Sequence, residues 1–524
     1  MAALLSHPSI GKIQGKSTPD TTQYLGLQYG VLTDRFATAT LPTYDPSTTH
    51  LDATHHAPTA FQPPDTVNGE HGLIQQPLPC TYRETSLLDG LALSITVPST
   101  ATPTSSLPIL AFIHGGGFAI GSTTWPQYDF SRLVRLAVAR GTPFIGVGIN
   151  YRLGIPGFLW GEEMRAAGYQ PNRGLLDQQL ALRWIQKYIG GFGGDAGNVT
   201  VAGESAGAAA ITYHFHQEEK LFRRAVAMSG TDLLVKPLPK EVAEMGFGKV
   251  CELLGLGEKG EERVKGLREV DGMEMLGKIG MAVQTGPVLD GEVIRYASTY
   301  ESLKGKGVPG TKWCESLMIG DCAFDGNILF LRIGPIKAGI ASKFVAAAEK
   351  VLPADTAKQL LPIYDFNTST DDETAFISVL RFINDIGFYA PTQAYASHFT
   401  TAGRDAYVYR FNAPNPWPGM WQGESSHVLD VAYLFQNYNK VLPSDKEREV
   451  AKKFGELFID FVAGKAPLEK RSPEGGKALA FGKDDVQLVE DVPAQTGRRE
   501  DFEELGQEIG YDALDRVLGT LLMG

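Results

Sequence analysis

Asn198-Val199-Thr200-Val201-Ala202-Gly203-Glu204-Ser205-Ala206-Gly207 decides how the rest of the chain is read. Val199, Thr200 and Val201 are β-branched, as suits a buried strand. The strand breaks into a turn with Ser205 at its tip, and Ala208, Ala209, Ala210 and Ile211 predict a helix behind it. A side chain at such a tip clears the backbone and points into the space above the sheet. A Cβ at either flanking glycine would collide across so tight a turn. Strand, G-x-S-x-G turn and helix together nominate Ser205 as a nucleophile. The pentapeptide alone is a weak signal in a chain of 59 glycines, where a glycine-rich turn is the plain alternative.

Context supplies the rest. Leu107-Pro108-Ile109-Leu110-Ala111-Phe112-Ile113 reads as a buried strand and runs straight into His114-Gly115-Gly116-Gly117-Phe118. Three successive glycines cost backbone entropy, so their use is to turn amide N–H groups toward a ligand; a flexible linker is the alternative. A serine hydroxyl needs a base. The order of partners after such an elbow is serine, acid, histidine. His214 and His216 follow Ser205 too soon, which leaves His398 and His427. His398 sits in a helical-looking segment and reads as a packed histidine. His427 follows the strand Ala406-Tyr407-Val408-Tyr409-Arg410-Phe411 and a Pro/Gly/Trp-rich loop, where a base belongs, and is preferred. The acid is expected after the short strand Glu315-Ser316-Leu317-Met318-Ile319-Gly320, as Asp325 or Asp321. Asp325 is preferred because Gly326 permits a tight turn; Asp321 is the alternative, capping that turn.

With these residues quoted, a resemblance can be stated. Asn150-Tyr151-Arg152-Leu153-Gly154, Gly174-Leu175-Leu176-Asp177-Gln178-Gln179, Phe192-Gly193-Gly194-Asp195, the elbow, Ala227-Met228-Ser229-Gly230, Asp325-Gly326 and His427-Val428-Leu429-Asp430 stand in one order. In that order and spacing the chain resembles the type-B carboxylesterases, the family of cholinesterases and fungal lipases, with the cast of an intracellular fungal member. The resemblance implies an α/β-hydrolase fold: a large, mostly parallel mixed sheet, helices on both faces and helical insertions forming a gorge. It implies that Ser205 attacks an ester carbonyl, His427 carries the proton and Asp325 orients the imidazole. The amides of Gly116, Gly117 and Ala206 would hold the oxyanion. Glu204 would line the gorge, Ser229 and Asp430 would form a polar pair beneath the histidine, and Arg152 and Asp177 would form a structural ion pair. No cofactor and no metal is called for. One domain, 1–524, is expected, with helical insertions at about 236–310 and 336–400.

The four cysteines are Cys80, Cys251, Cys314 and Cys322. The resemblance places two disulfide loops in secreted members. Here Cys80 falls near the first position with Gly90 as its expected partner, and Cys251 near the second with no cysteine in Val264-Lys265-Gly266-Leu267. A reducing, cytoplasmic setting is therefore expected. The start, Met1-Ala2-Ala3-Leu4-Leu5-Ser6-His7-Pro8, lacks the basic residues and apolar core of an export signal. Asn198-Val199-Thr200 and Asn367-Thr368-Ser369 match glycosylation acceptors that would be idle in such a setting. A net charge of −12 with no basic stripe argues against nucleic acid, and neither a spanning run nor a basic amphipathic helix argues for a membrane.

The loop from Cys80 to Gly90 is short and holds no tryptophan, which argues against a cholinesterase. Trp125, Trp417 and Trp421 lie in loops near the expected site, as pocket lining or as core. The final segment, Arg498 to Leu522, predicts a late helix packed on the body; late helices pair in dimers of this family, so a homodimer is an expectation. The expected function is a serine carboxylic ester hydrolase using an acyl-enzyme on a small-molecule partner, a small to medium, mostly apolar ester. A transacylase or tailoring hydrolase with the same triad is one alternative. A non-catalytic binding module is the other, though such a module would have lost the serine.

Overall fold

The computed structural model describes residues 2–81, 83–257, 260–280, 282–305, 308–366, 370–473, 475–491 and 497–523. Its strands are β1 (Ala2–His7), β2 (Gly11–Ser17), β3 (Thr21–Gln28), β4 (His50–Ala53), β5 (Thr59–Ala60), β6 (Thr85–Ser86), β7 (Ala92–Pro98), β8 (Leu107–Ile113), β9 (Ile145–Ile149), β10 (Gly194–Glu204), β11 (Arg224–Met228), β12 (Ser316–Cys322), β13 (Asp405–Phe411), β14 (Lys477–Phe481) and β15 (Val486–Glu490). Thirteen form one mixed sheet in the order β1-β2-β3-β7-β9-β8-β10-β11-β12-β13-β14-β15, with β4 on β2; β5 and β6 pair separately.

The run from β9 through β8, β10, β11, β12 and β13 to β14 is parallel throughout. Parallel strands lie under helices on both faces, so their sequences are apolar without alternation. β9, β11 and β12 are buried at every residue. β2, antiparallel near the edge, alternates buried and exposed instead. The two faces of β8 feed two different cores. Ile109, Ala111 and Ile113 pack with Trp184 and Leu182 of the helix Arg173–Tyr188. Leu110 and Phe112 pack with Phe435 and with Phe454 of the helix Asp445–Val462.

Register aligns the carboxyl ends of the strands. Gly203 of β10 pairs with Ile113, Glu204 with Met228, and Met228 with Gly320. Ligand sites in such sheets gather beyond those ends. Between β11 and β12 come the helices Lys240–Leu254, Glu261–Glu269, Gly272–Ile279 and Tyr300–Lys304. Between β12 and β13 come Ile340–Val351, Ala354–Ile363, Asp372–Asn384, a π-helical turn Asp385–Tyr389 and Ala390–Thr401. The chain ends in two helices, Arg498–Ile509 and Tyr511–Met523, where one was expected. Leu514, Val517, Leu518 and Leu521 of the last are buried within the chain. Among the described residues no helix is long and apolar enough to cross a membrane.

All four cysteines are free. The residue opposite Gly90 is not Cys80: a Cβ on Gly90 would lie 2.6 Å from Ala60 Cα. Cys80 stands apart in an exposed loop. In this chain β5 rather than the following loop packs against Gly90. The Asn198 side chain accepts a hydrogen bond from Arg224 Nη1 at 2.7 Å, and Asn367-Thr368-Ser369 lies outside the described residues.

Candidate active site

β10 ends at Glu204, and Ser205 takes φ 55° and ψ −122°, a strained conformation costing about 1–3 kcal/mol. The surroundings hold it there. Ser205 N–H donates to Met228 O at 2.9 Å, and Ser205 O accepts from Ala209 N at 2.9 Å as the helix Ala206–His214 begins. A Cβ on Gly203 would stand 2.5 Å from the Gly207 carbonyl, the collision across the turn that its sequence implies. Gly207 is glycine for another reason, since its Cβ would meet Ile113 O of β8 at 2.1 Å.

Beyond β8, the glycine loop passes close beneath the elbow: a Cβ on Gly115 would meet Ser205 Cβ at 2.9 Å. Gly115 O lies 2.9 Å from His114 Nδ1, and Gly116 O accepts from the amides of Ala119 and Ile120, both at 3.1 Å. In a trans peptide the N–H points opposite its carbonyl. Pinning these two carbonyls on one side turns the Gly116 and Gly117 amides to the other. Neither those amides nor that of Ala206 donates to a protein acceptor among the described residues. At Gly117 an added Cβ would meet nothing within 4 Å, so the loop faces open space.

Asp325 and His427 come together from loops after β12 and β13. His427 Nδ1 lies 2.7 Å from Asp325 Oδ1, and Cys322 N–H donates to Asp325 Oδ2 at 2.7 Å. A parallel bridge between Phe324 and Ser426 ties the two loops, and His427 N–H donates to Asn327 Oδ1 at 2.9 Å. With the carboxylate on Nδ1, the imidazole carries its proton there and keeps a lone pair on Nε2. Gly326 serves a purpose that its sequence did not show. Its Cβ would meet Leu380 O at 2.0 Å, so the helix Asp372–Asn384 packs directly on this backbone.

The expected bond from Ser205 Oγ to His427 Nε2 is not formed; Ser205 Oγ makes no hydrogen bond among the described residues. Nε2 instead faces Glu204 Oε1 at 3.1 Å, and neither atom has a hydrogen-bond partner there. Glu204 competes for the space because it is the preceding residue and points to the same face. Burial, then the carboxylates of Asp430, Glu70 and Asp325, push Glu204 well above the usual carboxylate range. Burial also raises Asp430 to about 7, with Asp325 adding to it, and Glu70 to about 7. Asp325 rises through burial while its His427 hydrogen bond opposes the shift. Glu204, Asp325 and Asp430 thus surround one imidazole, with Glu70 acting on it through Glu204.

Ser229 and Asp430 have separate partners rather than each other. Ser229 Oγ accepts from Cys322 N at 3.3 Å, and Asp430 Oδ2 accepts from Tyr409 OH at 3.1 Å. Arg152 and Asp177 form a bidentate buried pair, Nε–Oδ2 2.8 Å and Nη2–Oδ1 2.7 Å. Asp321, the alternative acid, pairs with Arg410 and lies on β12 away from the imidazole. His398 ties its helix to the preceding loop: Nδ1 lies 2.6 Å from Leu303 O, and Val308 N–H donates to Nε2 at 3.2 Å. Trp417 packs on Tyr438, and Trp421 on Phe324 and Phe330. Trp125 lines two adjoining cavities of about 330 and 150 Å³, neither of which is lined by Ser205, Asp325 or His427.

Sequence reasoning passed over Gln62, Glu70, Tyr128 and Asn327. Asn327 stood two residues from a nominated acid and was within reach of local reading. Glu70 and Tyr128 reach the site from the helix Val67–Ile74 and the turn Pro126–Tyr128, far upstream of the serine, with no local signal.

A parallel sheet with a serine elbow, an acid and a histidine at its strand ends defines the α/β hydrolases. Residues 4–487 match the model of the carboxylesterase family. The chain belongs to that family and is a serine carboxylic ester hydrolase. It is 27% identical over 471 residues to Lipase 3 of Yarrowia lipolytica, covering 86% of each chain. To the para-nitrobenzyl esterase of Bacillus subtilis it is 27% identical over 401 residues, 74% of this chain and 73% of that one. Among solved structures, a carboxylesterase of Geobacillus stearothermophilus superposes with a TM-score of 0.75 at 24% identity, covering 95% of this chain and 99% of that one.

Proposed function

We propose that the protein hydrolyses small to medium, mostly apolar carboxylic esters through an acyl-enzyme on Ser205. Ser205 Oγ attacks the ester carbonyl as His427 Nε2 takes its proton. The oxyanion is held by the amides of Gly116, Gly117 and Ala206. His427 returns the proton to the leaving alcohol, and water then repeats the sequence on the acyl-enzyme. Asp325 keeps the imidazole in the tautomer with Nε2 free. As the imidazolium forms, its charge draws the Glu204 carboxyl back toward ionisation. The observation that carries this reading is the 2.7 Å contact of His427 Nδ1 with Asp325 Oδ1 beside the strained Ser205 turn.

An apolar, uncharged acyl group is favoured by the surroundings. Phe388 stands edge-on to the imidazole at 5.5 Å, and the four buried acids disfavour a second anion. A reducing, cytoplasmic setting is supported by four unpaired thiols. Turnover of p-nitrophenyl butyrate is the test. Ser205→Ala is expected to lower kcat by at least about 10⁴-fold with an unchanged thermal unfolding midpoint. Retained turnover in that folded variant contradicts the proposal.

A further inference from the structure

We propose that Gln62 is a positioning residue for ester hydrolysis, tying the far end of the glycine loop so that the Gly116 and Gly117 amides stay turned toward the ester oxygen. The inference rests on the function proposed above. Gln62 follows β5, more than fifty residues upstream of the loop, and is almost fully buried. Its side-chain amide grips one residue from both sides: Gly121 N–H donates to Gln62 Oε1 at 2.8 Å, and Gln62 Nε2 donates to Gly121 O at 2.9 Å. Thr66 Oγ1 donates to the same Oε1 at 2.8 Å, and Nε2 also reaches Ala60 O at 3.3 Å. Oxygen and nitrogen are both fully used, so the side chain has one orientation, and flipping it would set donor against donor.

Gly121 is the hinge through which the grip reaches the amides. It stands at φ 123°, and a Cβ there would lie 2.2 Å from His114 Nδ1 and 2.6 Å from Gly115 O. The backbone that Gln62 holds is thus packed against the histidine and carbonyl that set the Gly115–Gly116 peptide plane. The next plane is set by Ala119 and Ile120 closing on Gly116 O, and a Cβ on Gly116 would collide with Ile120 O at 2.2 Å. Residues 114–121 therefore form a closed loop whose first half presents amides and whose last residue is clamped. Tyr151 braces the other end, its OH donating to His114 O at 3.0 Å and its ring stacked on the imidazole at 4.6 Å. Without the Gln62 clamp the loop keeps its glycine freedom at the end nearest the hole, and preorganisation is what makes such donors effective.

The test is steady-state hydrolysis of p-nitrophenyl butyrate by Gln62→Met, with reactive serines counted by a fluorescent organophosphonate. The expected result is a full titre of reactive Ser205, kcat per titrated site lower by about 10–100-fold, and KM within about twofold. Affinity for an aryl trifluoromethyl ketone, whose adduct places an oxyanion in the hole, should fall by the same factor as kcat. The pH profile of kcat/KM should not move. Should Gln62→Met fail to fold, Thr66→Val removes a single bond to Oε1 and is expected to lower kcat per site two- to tenfold. A rate per site within twofold of the parent, or a loss fully explained by a lower titre, overturns the inference. If Ser205→Ala abolishes turnover while Gln62→Met leaves it intact, only this inference fails; if Ser205→Ala retains turnover, the functional reading fails first.

Discussion

Among the described residues two sets of serine, histidine and aspartate side chains stand together, and their surroundings differ. In the first, Asp325 bonds His427 through Nδ1 and leaves Nε2 without a hydrogen bond at the strand ends, beside Ser205 and open space at Gly117. In the second, Asp232, His216 and Ser298 are all buried behind the helix Ala206–His214. There Ser298 Oγ donates to Asp232 Oδ2 at 2.5 Å, and His216 Nε2 lies 3.3 Å from the same oxygen. Tyr395 OH covers the other carboxylate oxygen, and Tyr296 stacks on the imidazole at 4.4 Å. The serine hydroxyl there donates its hydrogen bond to the acid rather than to the imidazole. Relay order and an open face, not the presence of three residue types, separate a reactive site from a polar plug.

The comparison predicts opposite responses to similar changes. His427→Ala should lower kcat on p-nitrophenyl butyrate by about 10⁴-fold or more with little change in stability. Ser298→Ala should leave kcat unchanged and lower the unfolding free energy by about 1–3 kcal/mol, read by urea titration, because it removes a buried donor from a carboxylate. A large loss of kcat with unchanged stability in Ser298→Ala would break the distinction.

A smaller effect sharpens it. The candidate site gathers buried acids, and burying an acid costs stability when it ionises. Glu70 is raised from 4.5 to about 7 by burial. The unfolded chain releases this proton first, so stability falls as pH rises from about 4.5 to about 7 and the full cost stands above that range. Glu70→Gln should therefore match the parent near pH 4 and exceed it at pH 8 by up to about 3 kcal/mol. Equal stability of the two at pH 8 would show that burying this carboxyl carries no such cost.

Much of this was legible in the sequence. β8, the elbow and the helix behind it follow from local composition, and strand ends with nominated residues led to Asp325 and His427. What was not legible came through contacts between distant segments. Gln62 meets Gly121, Ala60 meets Gly90, and Gly326 meets Leu380 with no periodicity to announce it. The glycines at 207 and 326 were rightly marked as special but for the wrong neighbour, since a sequence shows that a Cβ is missing and not what would have met it. The Glu204 contact with Nε2 was hidden likewise. It depends on the direction in which two adjacent side chains leave one turn, and the motif says only that Ser205 is at its tip.

The account stands most directly on where the acyl group goes. Mass spectrometry of the protein quenched during turnover of a slowly deacylating p-nitrophenyl carbamate should find one carbamoyl group per chain, on the peptide containing Ser205. An adduct on another residue, or continued hydrolysis with Ser205 unmodified throughout, would contradict it.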